Sequence, residues 1–213
     1  MFTEFIEILS VALKGVLPAE PAQFKMAPKG RLLRKVALLL NPIPKLSAVL
    51  VLLYPKNKEL HLVLMLRNEY NGVHSAQVSF PGGKRENKES LQKTALREAE
   101  EEIGVDAKKV KIIGKLSDLY IPPSGYLVTP FVGYSNKSPE FNPDPTEVQR
   151  IIEVPVSLIM DESTVKRKKI KVSTGNLKLN YPYFDVYGHT VWGATAMMLS
   201  ELKEIIRANK IEF

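Results

Sequence analysis

Hydrophobic positions change their spacing several times along the chain, and each change marks an element. Phe2, Phe5, Ile6, Leu9, Ala12 and Leu13 follow the spacing of one helical face, which predicts an amphipathic helix over residues 1–15. The period is then lost. Pro18, Pro21, Pro28, Pro42 and Pro44 punctuate residues 17–46, with only Val36–Leu40 as an apolar run. This stretch reads as an irregular wrapping segment with a helical turn or two. Ser47–Tyr54, SAVLVLLY, is an unbroken apolar run of strand length, and Glu59–Arg67 is a second. Pro55-Lys56-Asn57-Lys58 supplies a turn between them, so the pair predicts a hairpin near the middle of a sheet.

Residues 68–75 read as a loop and Ala76–Phe80 as a short strand that runs into Pro81-Gly82-Gly83. A helix is expected from Glu89 to Ile103, with Leu91, Ala95, Leu96, Ala99 and Ile103 as its apolar stripe. Gly104 ends it. Strands are expected over 109–120 and 126–134, separated by the loop from Ile121 to Gly125. Residues 147–160 mix strand and turn. Ile170–Val172 and Leu177–Phe184 predict a hairpin through Thr174-Gly175-Asn176. Ala194, Met197, Met198, Leu202, Ile205 and Ile206 share one face of a closing helix over residues 193–209. The order predicts an α/β chain with a mixed sheet between helices. It divides into an N-terminal helical and irregular extension, residues 1–44, and a domain over residues 45–213 that includes the C-terminal hairpin and helix.

The helix after the double glycine carries an unusual polar stripe. At about 100° per residue, Glu101 lies about 60° to one side of Glu98 and Glu102 about 40° to the other. Like charges at that spacing destabilise a bare helix. Clustered hard oxygens of this kind suit Mg²⁺ or Mn²⁺, which neutralise them. Glu89 falls about 180° from Glu98 on a regular helix, away from that arc. Arg97 borders the arc and is placed to orient a glutamate through an ion pair.

The segment GKRENKESLQKTALREAEEEIGV, Gly83 to Val105, resembles the signature of the Nudix hydrolases, G-x5-E-x7-R-E-U-x-E-E-x-G-U with U aliphatic. Gly83, Glu89, Arg97, Glu98, Glu101, Glu102 and Gly104 match by identity, and Ala99 and Val105 fill the aliphatic positions. The resemblance implies the Nudix fold and metal-dependent hydrolysis of a nucleoside diphosphate linked to a second group. It implies Glu98, Glu101 and Glu102 as metal ligands, with a backbone carbonyl of Gly82 or Gly83 beside them. It gives Glu89 a supporting role and makes Arg97 part of the catalytic set.

Three further segments resemble the coenzyme A pyrophosphatase branch. In Leu64–Gly83, LMLRNEYNGVHSAQVSFPGG, the residues Gln77, Val78, Phe80, Pro81, Gly82 and Gly83 fit that branch's upstream motif. Its arginine and glycine fall on Gly72 and Ala76, which depart. PSGYLVTPFVG, Pro123–Gly133, and VWGATA, Val191–Ala196, are similar to later segments of the branch. The implied substrate is coenzyme A or a derivative, cut to 3′,5′-ADP and 4′-phosphopantetheine. ADP-ribose, a dinucleotide or a noncanonical nucleotide is the alternative, and a non-catalytic nucleotide-sensing module is the reading from another class. Arg67, Lys84, Arg85 and Gln77 are the candidates for holding substrate.

Composition narrows the partners. The chain has 213 residues, no cysteine and a formal charge of +7. Disulfides and thiolate chemistry are thereby excluded, and a reducing cytoplasm fits. The start, MFTEFIEILSVALKG, lacks a basic n-region and carries Glu4 and Glu7, so it does not read as a secretory signal. No apolar run approaches a membrane span. The run KRKKIK, Lys166–Lys171, reads as a lysine-guarded strand edge. Aromatics are not interleaved with it along the chain, which argues against a nucleic-acid platform. Glu147, in NPDPTEV, reads first as a loop acid with a metal or catalytic role as its alternative. Trp192 reads as a packing anchor before an adenine contact, Ser124 as part of a tight turn, and His74 as a loop residue within reach of substrate. The oligomeric state stays open, a homodimer included.

Overall fold

The computed structural model describes residues 2–29, 31, 36, 37, 39, 43–68, 77–122, 124–171 and 178–212. Most of the expected loop at 68–75, with Gly72, His74 and Ala76, lies outside the described residues, as does the Thr174-Gly175-Asn176 turn. The strands are β1 (Lys45–Lys56), β2 (Glu59–Arg67), β3 (Val78–Ser79), β4 (Gly82–Lys84), β5 (Lys111–Lys115), β6 (Leu119–Ile121), β7 (Tyr126–Tyr134), β8 (Val148–Pro155), β9 (Val165–Lys171), β10 (Lys178–Val186) and β11 (His189–Val191). The helices are α1 (Phe2–Ala12), α2 (Ala19–Gln23), α3 (Leu91–Ile103), α4 (Val156–Met160) and α5 (Gly193–Ala208).

β1 organises the main sheet. It runs parallel to β7 from Lys45↔Tyr126 to Leu53↔Tyr134 and antiparallel to β2 and β4. The order is β3-β2-β1-β7-β5, with β4 also on β1, β6 on β7 and β8 on β2. The β1–β2 turn is tighter than expected. The strands extend through Pro55-Lys56, and Asn57 and Lys58 alone form the corner at φ 51° and 66°. Two successive positive φ values match the turn that follows a sheet's right-handed twist.

Both faces of this sheet are buried, which explains why β1 and β2 read as unbroken apolar runs rather than alternating ones. Leu50, Leu52, Tyr54, Val63 and Met65 meet Ala95, Ala99 and Ile103 of α3 on one face. Val51, Leu53, Leu62 and Leu64 belong to the opposite core, with Phe5 and Leu9 of α1 and Met198 and Leu202 of α5. Each such side chain contributes roughly 1.5–3 kcal/mol by leaving water. The N-terminal segment is also tied by polar contacts. Glu201 of α5 is fully buried and accepts from the Ala19 and Ser117 backbone N–H groups and from Gln23 Nε2. Phe5 is 1% exposed, so Phe5→Ala should cost about 3–5 kcal/mol in denaturant unfolding. A loss under about 1 kcal/mol would show that α1 does not belong to this core.

Several boundaries differ from the sequence reading. The expected strand over 109–120 is a 3₁₀ turn at Ala107–Lys109 followed by β5 and β6. Residues 147–160 resolve into β8 and α4. The C-terminal hairpin begins earlier, at Val165, and gains a third strand, β11, in a separate sheet of order β11-β10-β9.

Candidate active site

The site forms where β4 meets α3. The double glycine is not a simple turn: Gly82 and Gly83 are strand residues, paired with Val49 and Ala48 of β1. Gly82 sits at φ 151°, and a Cβ there would fall less than 3.0 Å from the Ala48 carbonyl oxygen and the Val49 Cα. At Gly83 a Cβ would strike the Glu98 carboxylate at a similarly forbidden distance. The absence of two side chains lets β4 lie against β1 and lets the Glu98 carboxylate lie against Gly83.

α3 begins later than expected. Ser90, in extended conformation, caps it by accepting from the Lys93 N–H at 3.2 Å. Gly104 closes it at φ 70°. Glu89 therefore precedes the helix, and the regular-helix argument that set it opposite Glu98 does not apply. It reaches Arg97, whose Nη2 donates to Glu89 Oε1 at 2.8 Å, and it accepts from the Thr94 hydroxyl and the Glu86 N–H. The Arg97 hydrogen bond, aided by the other donors, pulls the Glu89 carboxyl down to about 2. A depressed carboxylate contributes stability above its unfolded value of about 4.5, lost as pH falls toward 2. Glu89→Gln should accordingly be less stable than the parent at pH 6, with the gap closing through that acid window in pH-dependent unfolding. A gap that stays constant down to pH 2 would contradict the linkage.

Arg97 is a hub. Its Nη1 pairs with Glu98 at 2.9 Å and Glu101 at 2.8 Å, and its Nη2 also donates to the Lys84 carbonyl. Its proton is held more firmly than in a free arginine, chiefly through the bond to Glu89. Glu101, with its side chain 59% exposed, turns outward to this hub.

Glu102 turns the other way. It is 2% exposed, and its Oε1 accepts from Arg67 Nη1 and its Oε2 from the Gly82 N–H, each at 2.7 Å. Burial pushes its carboxyl up to about 7, against the pull of Arg67 and Gly82. Glu98, half-buried between the two, is also pushed up by burial, opposed by Arg97 and reinforced by Glu101 and Glu147. Arg67 spends its guanidinium on carboxylates: besides Glu102, its Nη2 reaches Glu147 at 3.3 Å. Glu147, read first as a loop acid, thus stands beside the Arg67–Glu102 pair. The approach depends on β8 pairing with β2 next to Arg67, a long-range register. Lys84 and Arg85 lie exposed just past the glycines. The Gln77 carbonyl accepts the Arg67 backbone N–H, which places Gln77 at the end of β2. Ser124 accordingly sits in a turn, its hydroxyl donating to the Ile121 carbonyl, and Trp192 packs edge-on against Tyr181.

Among the described residues, no three acidic or histidine side chains gather as closely as a preformed metal cage requires. Arg67 and Arg97 supply the positive charge in this arrangement. The donor set nevertheless fits a hard divalent cation: Glu98 and Glu102 offer only oxygens, both feel the cost of burial, and the Glu98 carboxylate lies against the bare backbone of Gly83.

Residues 44–173 match the NUDIX domain family. The chain belongs to the Nudix hydrolases. It is 35% identical over 147 residues to an uncharacterized Nudix hydrolase, NudL, of Photorhabdus laumondii, covering 68% of this chain and 77% of that one. A NudL of Yersinia pestis is 34% identical over 144 residues, covering 67% and 71%. Among solved structures, a Nudix hydrolase from M. smegmatis, RenU, superposes with a TM-score of 0.55 at 15% identity, over 78% of this chain and 87% of that one. The NUDIX domain of Shewanella oneidensis NrtR, solved with ADP ribose, gives 0.51 at 14% identity, over 81% and 98%. The fold is thus the Nudix fold, a mixed sheet flanked by helices. Nudix hydrolases generally use divalent metal ions and act on nucleoside diphosphate derivatives. Among the described residues, no helix of this Nudix hydrolase is long and apolar enough to cross a membrane.

Proposed function

We propose that this Nudix hydrolase cleaves the diphosphate bond of coenzyme A or its thioesters, releasing 3′,5′-ADP and 4′-phosphopantetheine or its acyl form. The observation that carries the hydrolytic reading is the buried Glu102 carboxylate, fixed by Arg67 and the Gly82 N–H beside Glu98. Glu98 and Glu102 would hold a Mg²⁺ or Mn²⁺ ion, with the Gly82 carbonyl as a further donor; Glu98 is paired with Arg97 in its absence. Bound there, a divalent cation supplies charge neutralisation of the diphosphate and a water of lowered pKa.

The residues of the chain do the rest. Arg97, anchored by Glu89, holds the Glu98–Glu101 edge of the helix in place. Arg67 positions Glu102 and Glu147 on the opposite side. Lys84 and Arg85, past the glycines, meet the phosphates, and Gln77 lies on the same approach. The coenzyme A reading is supported by the FPGG segment, Phe80–Gly83, with Gln77 and Val78 ahead of it. The similarity to NudL over two thirds of the chain supports the Nudix hydrolase reading on which it rests.

Purified protein incubated with Mg²⁺ or Mn²⁺ should release 3′,5′-ADP from coenzyme A faster than AMP from ADP-ribose at equal concentration. Fast ADP-ribose turnover without coenzyme A turnover would replace the substrate and keep the reaction class.

A further inference from the structure

Resting on the metal-dependent hydrolysis proposed above, we propose that Glu147 is a positioning residue: it takes over the Arg67 guanidinium and so frees Glu102 to hold the cation. Both oxygens of Glu102 are occupied, Oε1 by Arg67 Nη1 and Oε2 by the Gly82 N–H, each at 2.7 Å. A divalent cation bound to Glu102 would stand beside a guanidinium of like charge, and the two repel. Arg67 then has to turn from Oε1. Its side chain is largely buried, so losing a carboxylate without gaining another would be costly.

A second acceptor already stands within reach. Glu147 Oε2 lies 3.3 Å from the other terminal nitrogen of Arg67, Nη2. That contact is long beside the bond to Glu102, so the guanidinium leans toward Glu102 and has distance to gain toward Glu147. A planar guanidinium grips one carboxylate with two N–H groups, which lets Arg67 exchange a shared pairing for a bidentate one. The Glu147 side chain is 52% exposed, so it receives those bonds without being drawn out of water.

The backbone fixes where Glu147 stands. Asn68, next to Arg67, donates its N–H to the Glu147 carbonyl at 2.9 Å and its Nδ2 to the Pro145 carbonyl at 2.7 Å. The Asp144 N–H donates to the Glu102 carbonyl at 3.0 Å, and the Asp144 carboxylate accepts from the Thr146 N–H and hydroxyl. One loop thus joins the end of β2 to the end of α3. The separation between the two acceptors of Arg67 is set by these bonds. Charge alone is the competing account, since Glu147 also acts electrostatically on Glu98. Reach separates the two: aspartate keeps the charge but stops one methylene short of Arg67.

The test is Mn²⁺ binding to the full-length protein without substrate, followed by the electron paramagnetic resonance of free Mn²⁺, with a melting curve for each variant. Glu147→Gln should weaken Mn²⁺ binding about tenfold or more, the scale for removing a residue that orients a metal ligand. Glu147→Asp should weaken it to a similar extent. In an Arg67→Gln background, Glu147→Gln should add less than about a twofold change, because no guanidinium is left to take over. Turnover of the Glu147→Gln protein should need more Mn²⁺ for half-activation while keeping most of its kcat at saturating metal. Unchanged Mn²⁺ affinity in Glu147→Gln, full recovery in Glu147→Asp, or additive effects of the two glutamines would each overturn the proposal. A kcat lost at saturating metal with affinity unchanged would overturn it too, making Glu147 a catalytic group. Failure of the underlying metal reading looks different: Mn²⁺ affinity of the parent would then be indifferent to Glu102→Gln, which removes the site and this role together.

Discussion

Glutamine in place of Glu102 is expected to lower metal-dependent diphosphate hydrolysis by roughly two to three orders of magnitude in kcat, the scale for removing one preorganised electrostatic group. The fold should survive. Burial already holds this carboxyl up at about 7, so a neutral amide suits the position, and its oxygen still accepts from Arg67 or the Gly82 N–H. Steady-state kinetics beside a melting curve read both effects. Turnover close to the parent's would remove Glu102 from the metal site. Lost turnover together with a large fall in melting temperature would instead make Glu102 a fold residue.

The two glycines of β4 should respond in opposite ways. Gly82→Ala forces a side chain onto backbone atoms of β1 at a φ of 151°, and backbone cannot step aside. Strain and overpacking together should cost about 3 kcal/mol or more. Gly83→Ala meets only the end of the Glu98 side chain, which can swing away. That variant should keep most of its stability and lose activity, because the displaced carboxylate vacates the position before the glycine. Denaturant unfolding and turnover measured on both separate the roles. Equal behaviour of the two variants would contradict the geometry.

Much of this was legible from residue order. The unbroken runs of β1 and β2, the stripe of α3 and the closing α5 all carry strong periods, and the glycine and glutamate spacing alone implied the family. What stayed hidden depends on partners distant in sequence. Glu102 and Glu101 fall on one arc, yet they part because Arg67 waits on one side and Arg97 on the other. Helical angles place side chains on a face but do not say which cation each one meets. Glu89 was misplaced because Ser90, not Glu89, satisfies the free N–H groups at the start of α3. The short strands β4 and β11 lack any period long enough to read; β4 is a strand because β1 lies within reach of bare glycine backbone. The pairing of Lys166 with Tyr183 and of Lys168 with Tyr181 exists only in the register of β9 and β10.

Glu98 and Glu102 are expected to share a divalent cation. Anomalous diffraction from crystals soaked in Mn²⁺ tests it most directly. The account predicts a peak between the Glu98 and Glu102 carboxylates, next to Gly82 and Gly83, with Glu98 turned away from Arg97. A fully active enzyme whose manganese peak lies away from both carboxylates, with the Arg97–Glu98 pair intact, would contradict it.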